Sequence, residues 1–318
     1  MSTLKITCVE KYVLIDRTFN FQFPCDFQEF DKLSQEQFEN DVKNQDVIIL
    51  SDLIINEKVV NNNPNLKLVA LCSTGYNHVN MELLRKHNVK VCNIRGYAGD
   101  AVSEHAFILM INLIKNFSLQ AEGIKEGLWS TGNSSFYLAA PIRELKNKTL
   151  AIIGKGEIGL SLAEKAQAFG MNVIFSERKN ATECRDGYVS FTSAIQQADV
   201  VSLHCELNAS TQNMIDADVL SQMKSNSILI NVGRGGLVHE ADLVQALGNK
   251  TISAYGADVL SVEPPANDHP LIELQRKMSN VIITGHIAWA TDEAQVRLFD
   301  ILESNVNKNM QGIEANLV

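Results

Sequence analysis

Apolar, β-branched runs recur through the second half of the chain at residues 150–153, 173–175, 200–203, 228–232, 252–257 and 281–284. Their starts lie roughly 23 to 30 residues apart, the length of one strand-helix-strand unit. Stretches of helical period fill the intervals. One begins at Gly159, sets Leu162, Ala163, Ala166 and Phe169 on one face and stops at Gly170, a favoured residue just past a helix end. Strands alternating with helices predict a parallel, doubly wound sheet. The first hundred residues repeat the pattern on a smaller scale, with strands predicted at 12–15, 46–50, 66–71 and 89–93, and so predict a second, separate α/β domain. Between the two, Val102, Ala106, Leu109, Leu113 and Phe117 predict a long helix over 101–117. That helix is apolar on most sides, which suits it to a partner subunit as well as to its own core.

Composition narrows the classes of function. A chain of 318 residues exceeds what one core usually serves, and 45% hydrophobic residues supply material for two. Asp and Glu number 37 against 28 Lys and Arg, a net charge of -9 with no basic block, so neither nucleic acid nor an anionic membrane is an expected partner. The apolar stretch 106–111 is interrupted by Asn112 and Lys115, far short of the ~20 residues of a bilayer span. Charges at Lys5, Glu10, Lys11 and Asp16 do not suit a secretory signal. Cys8, Cys25, Cys72, Cys92, Cys184 and Cys205 form no C-x-x-C pair and read as free thiols in a reducing compartment, so the chain is expected in the cytoplasm. His204 beside Cys205 lacks further ligands, and no metal is expected.

Gly154, Gly156 and Gly159 form G-x-G-x-x-G directly between a predicted strand and a predicted helix. The first glycine permits the tight turn, the second lets backbone approach a pyrophosphate, and the third allows close helix packing. Gly154, Gly156, Glu157 and Ile158 are therefore expected to bind the cofactor, and the amino terminus of the helix that follows offers free N–H groups to the phosphates. Glu177 ends the next strand, 18 residues beyond Gly159, where a carboxylate accepts from both ribose hydroxyls and repels a 2′-phosphate. This favours NAD over NADP, although Arg178 and Lys179 follow immediately and keep a phosphate grip open.

Arg234, Glu263 and His286 each follow a predicted strand, and carboxyl ends of parallel strands share the edge where ligands bind. Arginine pairs bidentately with a carboxylate and can polarise a neighbouring carbonyl. Histidine can donate the proton that completes reduction of a 2-oxo acid, and a carboxylate on its other nitrogen raises its pKa and orients it.

With these residues the sequence resembles the D-2-hydroxyacid dehydrogenase family, most closely its glycerate dehydrogenase (hydroxypyruvate reductase) group. The matching segments are STGYNHV from Ser73, NIRGYAGDAVSEHA from Asn93, GKGEIG from Gly154, NVGRGGLV from Asn231, ADVLSVEPP from Ala257 and GHIAWA from Gly285. The resemblance implies two Rossmann-like parallel-sheet domains with the cleft between them: a flavodoxin-like substrate domain of residues 1–99 and 287–318, and a dinucleotide-binding domain of residues 100–286. It implies that Arg234 binds and polarises the substrate, that Glu263 partners the acid/base His286, and that Thr74 and Gly75 hold the substrate carboxylate. Asp258 would meet the nicotinamide carboxamide, with Val102 and His286 near the ring. It also implies a homodimer, and NAD(H) exchanging hydride with hydroxypyruvate and D-glycerate, or with glyoxylate or another 2-oxo acid.

The sequence departs from the family pattern at Gly285, where proline is usual, at Glu206, likewise, and at Gly233, where alanine is common. His78, His87, His105, His239 and His269 read as surface or structural, His105 least clearly, and Trp129 and Trp289 as packing. Some relatives act as transcriptional corepressors, so a nucleotide-sensing binding protein is the rival reading; the chain shows neither a basic patch nor an obvious tail for it.

Overall fold

Short apolar segments bounded by polar turns build two parallel sheets in the computed structural model, which describes residues 3–318. The described chain divides into two units, one from the described part of Met1–Ala98 together with Ala290–Val318, the other Gly99–Trp289.

In the first unit the order is β1 (Leu4–Cys8), β2 (Cys25–Glu29), α1 (Gln35–Asp41), β3 (Val47–Leu50), α2 (Glu57–Asn62), β4 (Leu68–Leu71), α3 (Met81–Lys86) and β5 (Lys90–Cys92). The five strands lie in the order β2-β1-β3-β4-β5, all parallel, which is the flavodoxin-like order. β3 and β4 are apolar and buried at every position, as a strand covered on both faces must be. The helices start on side-chain caps: Ser34 and Gln37 form a reciprocal capping box, and Asn56 and Asn80 accept from the third residue beyond them.

One strand is misplaced by sequence. Residues 12–15 are apolar, yet Lys11–Val13 is a single 3₁₀ turn with Tyr12 exposed. The chain bends there because the buried Glu10 carboxylate collects the amides of Ser51, Asp52 and Leu53, while the Lys11 amide crosses to the Phe30 carbonyl. The strands are instead the more polar β1 and the edge strand β2, where polar side chains keep a water-facing margin.

In the second unit the order is α4 (Gly99–Lys115), α5 (Phe117–Lys125), β6 (Thr149–Ile153), α6 (Glu157–Ala168), β7 (Asn172–Ser176), α7 (Phe191–Gln197), β8 (Val200–Leu203), α8 (Ala217–Gln222), β9 (Ile228–Asn231), α9 (Glu240–Gly248), β10 (Ala254–Ala257), α10 (Pro270–Lys277) and β11 (Val281–Ile283). The six-stranded parallel sheet runs β11-β10-β9-β8-β6-β7. All six predicted runs form its strands: β8, β9 and β10 are buried at every position and β6 at all but its first, whereas the edge strands β7 and β11 are partly exposed. The long helix α4 packs on α6 and on β9, β10 and β11. The last helix, α11 (Asp292–Met310), packs on β4 of the first unit, where Asn305 donates to the Asn93 carbonyl and the Val318 amide to that of Val91.

Candidate active site

The register of the second sheet places six residues in one row across it: Ser176, Ile153, Leu203, Asn231, Ala257 and Ile283. Glu177, Gly154, Asp258, Arg234 and His286 leave within three residues of that row, and Glu263 follows Ala257 by six. Glu177 and Gly154 follow by one residue, Asp258 by one, and Arg234 and His286 by three. Because the strands are parallel and in step, side chains more than a hundred residues apart meet at a single edge. β7 and β10 are four strand spacings apart, roughly 19 Å, so only an extended ligand reaches both ends of the row.

At the β9–β11 end, His286 Nδ1 lies 2.6 Å from Glu263 Oε2. The other Glu263 oxygen accepts the Leu260 amide at 2.7 Å, which fixes the carboxylate. This hydrogen bond, above the opposing effect of burial, raises the His286 pKa from its ordinary value. Burial pushes Glu263 up, but the bonds from His286 and Leu260 and the charges of His286 and Arg234 together hold it below the usual carboxylate value. Arg234 donates Nη1 to its neighbour's carbonyl, that of Gly233, at 2.8 Å, which turns its guanidinium at the loop that carries it. The loops bearing Arg234 and Glu263 touch through Gly235, where an added Cβ would overlap the Leu260 backbone. With Nδ1 engaged by Glu263, Nε2 is the nitrogen left to exchange a proton with a substrate.

Asp258 is 1% exposed and organises the turn that carries His286. Its Oδ1 accepts the Thr284 hydroxyl at 2.5 Å and the Ile287 amide at 3.0 Å, its Oδ2 accepts the Ala288 amide at 2.7 Å, and its carbonyl accepts the His286 amide. These bonds hold His286 at φ 58, a left-handed conformation that a non-glycine residue adopts only when its surroundings impose it. Trp289 donates its indole N–H to the His286 carbonyl, and His105 Nε2 lies 2.8 Å from the Thr284 hydroxyl oxygen. Both aromatic residues therefore brace the turn. Gly285 has open space around its missing side chain and no positive φ, so the departure from proline there costs the turn no required conformation.

At the β6–β7 end, Gly154 has φ 109, and a Cβ on it would meet the His204 and Cys205 backbone. A Cβ on Gly159 would overlap the Gly154 carbonyl, whereas Gly156 faces open space. The α6 amino terminus, with no side-chain cap, opens on that space. This is the backbone cradle a pyrophosphate requires, so these residues fit a dinucleotide. A cavity of about 640 Å³ extends from it past Glu177, Arg178 and Tyr188. Glu177 is buried, and Arg185 grips it through Nε and Nη2 at 2.7 and 2.8 Å; the amides of Arg178 and Arg185 also donate to it, and its pKa is pulled down to about 2. Lys179 is committed to Asp216 and the Met214 carbonyl.

In the first unit, Asn93 donates to the Thr74 carbonyl and the Ser73 hydroxyl to that of Gly75, while the Ile94 amide bonds the Ser73 carbonyl. The loop's carbonyls are tied down in this way. The Thr74 and Gly75 amides have no acceptor among the described residues. Val102 is buried near the start of α4. His239 and His269, at the starts of α9 and α10, pair with Asp242 and Glu240. Among the described residues no group of three or more His, Cys, Asp or Glu is placed to hold a metal, and no helix is long and apolar enough to cross a membrane. Sequence reasoning missed Arg185, Thr284 and the bracing role of Trp289. Arg185 lies in an aperiodic polar loop, and its only signal is its charge.

Residues 107–288 match the family model described as D-isomer specific 2-hydroxyacid dehydrogenase, NAD binding domain. The chain is 33% identical over 317 residues to the glycerate dehydrogenase of Methylorubrum extorquens, covering 99% of each. It is 32% identical over 278 residues to the hydroxypyruvate reductase of Blautia hydrogenotrophica, covering 86% of this chain and 84% of that one. The structure of an Aquifex aeolicus D-lactate dehydrogenase complexed with NAD and lactic acid matches with a TM-score of 0.79 at 25% identity, covering 99% of this chain and 98% of that one. Matched over more than half its length by the family model and over nearly all of it by a relative of this identity, the chain belongs to the D-isomer specific 2-hydroxyacid dehydrogenases, and the residues that match the model lie within its second unit.

Proposed function

We propose that the chain reduces hydroxypyruvate to D-glycerate, with glyoxylate and other small 2-oxo acids as poorer substrates, and that it works as a cytoplasmic homodimer. The observation that carries the reading is the His286–Glu263 pair beside Arg234 at one sheet edge: a proton donor with a raised pKa next to a cation that takes a carboxylate. Gly154, Gly156, Glu157 and Ile158 would hold NAD(H), which when bound would supply the hydride for the substrate C2. Arg234 takes the substrate carboxylate and draws electron density from the carbonyl oxygen. His286 delivers a proton from Nε2 to that oxygen, and Glu263 stabilises the imidazolium beforehand.

The Thr74 and Gly75 amides, without acceptors among the described residues, are candidate donors to a substrate carboxylate. Asp258 has one Oδ2 lone pair beyond the Ala288 bond, which suits it to receive the nicotinamide carboxamide, and Val102 packs near the ring. The names of the two relatives favour a three-carbon hydroxylated substrate. Six free thiols suit a reducing cytoplasm. The exposed apolar side chains that follow α4 favour a second copy of the chain as partner.

The test is kcat/KM with NADH across hydroxypyruvate, glyoxylate and pyruvate. Hydroxypyruvate is expected to lead by at least tenfold. A leading glyoxylate value would move the substrate assignment within the family, and absence of NADH oxidation with all three would turn the reading to a nucleotide-sensing protein.

A further inference from the structure

The residue the sequence marks for NAD selection is already fully engaged. Glu177 Oε1 accepts the Arg178 amide at 2.9 Å and Arg185 Nη2 at 2.8 Å, and Oε2 accepts the Arg185 amide at 3.2 Å and Arg185 Nε at 2.7 Å. Each oxygen thus serves two donors, its usual capacity. A ribose hydroxyl finds no free acceptor there. Arg185 also cancels the charge by which a bare carboxylate would repel a 2′-phosphate.

The surroundings are cationic. The Arg185 guanidinium lies 4.1 Å from the Tyr188 ring centre, and Lys155 Nζ lies 5.1 Å from the same ring and 4.6 Å from that of Phe175. Arg178 is exposed beside the cavity, and its guanidinium has no partner among the described residues. Glu177 is 4% exposed and Arg185 56%, so if the pair opens it is the arginine that solvent can receive, while the carboxylate stays buried.

We propose that Arg185 determines cofactor choice: closed on Glu177 it lets the site accept a 2′-phosphate, and NAD(H) gains its ribose hydrogen bonds only when the guanidinium turns away from the carboxylate. The proposal rests on the assignment of the Gly154 loop as the dinucleotide site. It predicts that the wild-type protein prefers NADH to NADPH by less than about tenfold in kcat/KM.

The test is calorimetric titration with 5′-AMP and with adenosine 2′,5′-bisphosphate, which reads the adenosine end without turnover. The wild-type protein is expected to bind the two within about tenfold of one another. Arg185→Ala is expected to lose at least tenfold in affinity for the bisphosphate while affinity for 5′-AMP holds or rises. Glu177→Gln, which releases the arginine, is expected to shift the ratio toward the bisphosphate. Equal losses for both ligands in Arg185→Ala would make the arginine a loop brace and overturn the proposal. So would a wild-type preference for 5′-AMP above about a hundredfold, or an effect produced by Arg178→Ala and not by Arg185→Ala. Failure of both fragments to bind the wild-type protein would instead remove the dinucleotide assignment on which the proposal stands. Melting temperatures of the variants separate lost binding from lost folding.

Discussion

The Glu263 carboxylate 2.6 Å from His286 raises the imidazole pKa, which suits His286 to the proposed role of a proton donor charged at working pH. Reduction consumes the proton, so activity is expected to be full below that raised pKa and to fall as pH rises through it. Glu263→Gln is expected to move the falling limb to lower pH, because an amide stabilises imidazolium less than a carboxylate does. His286→Ala is expected to cost about a hundredfold to ten-thousandfold in kcat with NADH affinity nearly unchanged. An unshifted limb in Glu263→Gln would uncouple the pair. The linkage to stability has the same sign: with the folded pKa raised, the pair stabilises the fold fully below the ordinary imidazole value and loses that contribution as pH rises through the raised one.

Loops, like residues, are placed by contact, and the loop after β9 rests on the loop after β10 at Gly235. An alanine there must push the Leu260 backbone or its own loop aside, whereas at Gly233 a Cβ would meet the flexible end of Leu237 at 3.2 Å. Gly235→Ala is expected to cost about 1–3 kcal/mol, as overpacking does, and to lower kcat/KM by misplacing Arg234. Gly233→Ala is expected to be nearly neutral. Thermal melts and oxo-acid kinetics of the two variants check the contrast; equal behaviour would show that close loop contact does not set the arginine. The βα units were legible because their strands are predominantly apolar, so composition and spacing sufficed. β1 and β2 were not, since their polar margins hide the strand period and the apolar 12–15 run is spent on a turn ordered by Glu10, through bonds to residues forty positions away.

The unit Gly99–Trp289 exposes Phe117, Phe136 and Trp129 at 67, 70 and 48%, with Ile124 and Leu138 also uncovered. An apolar surface of this kind, on a chain that carries a net charge of -9, favours a specific partner over general stickiness. Light scattering on the eluting protein is expected to give twice 35.2 kDa, and Trp129→Ser with Phe136→Ser to give one chain mass. A wild-type mass of one chain would leave that face without its partner. The sequence alone determined the two α/β units and the glycine turn and singled out Arg234, Glu263 and His286 as candidates, because spacing and residue chemistry are local properties that folding does not alter. Only the tertiary structure decided that one register row gathers them, that Asp258 holds His286 in a left-handed turn, and that Arg185 occupies Glu177. Those facts depend on which atoms meet across the sheet edge and its loops, and separation along the chain carries no trace of such meetings.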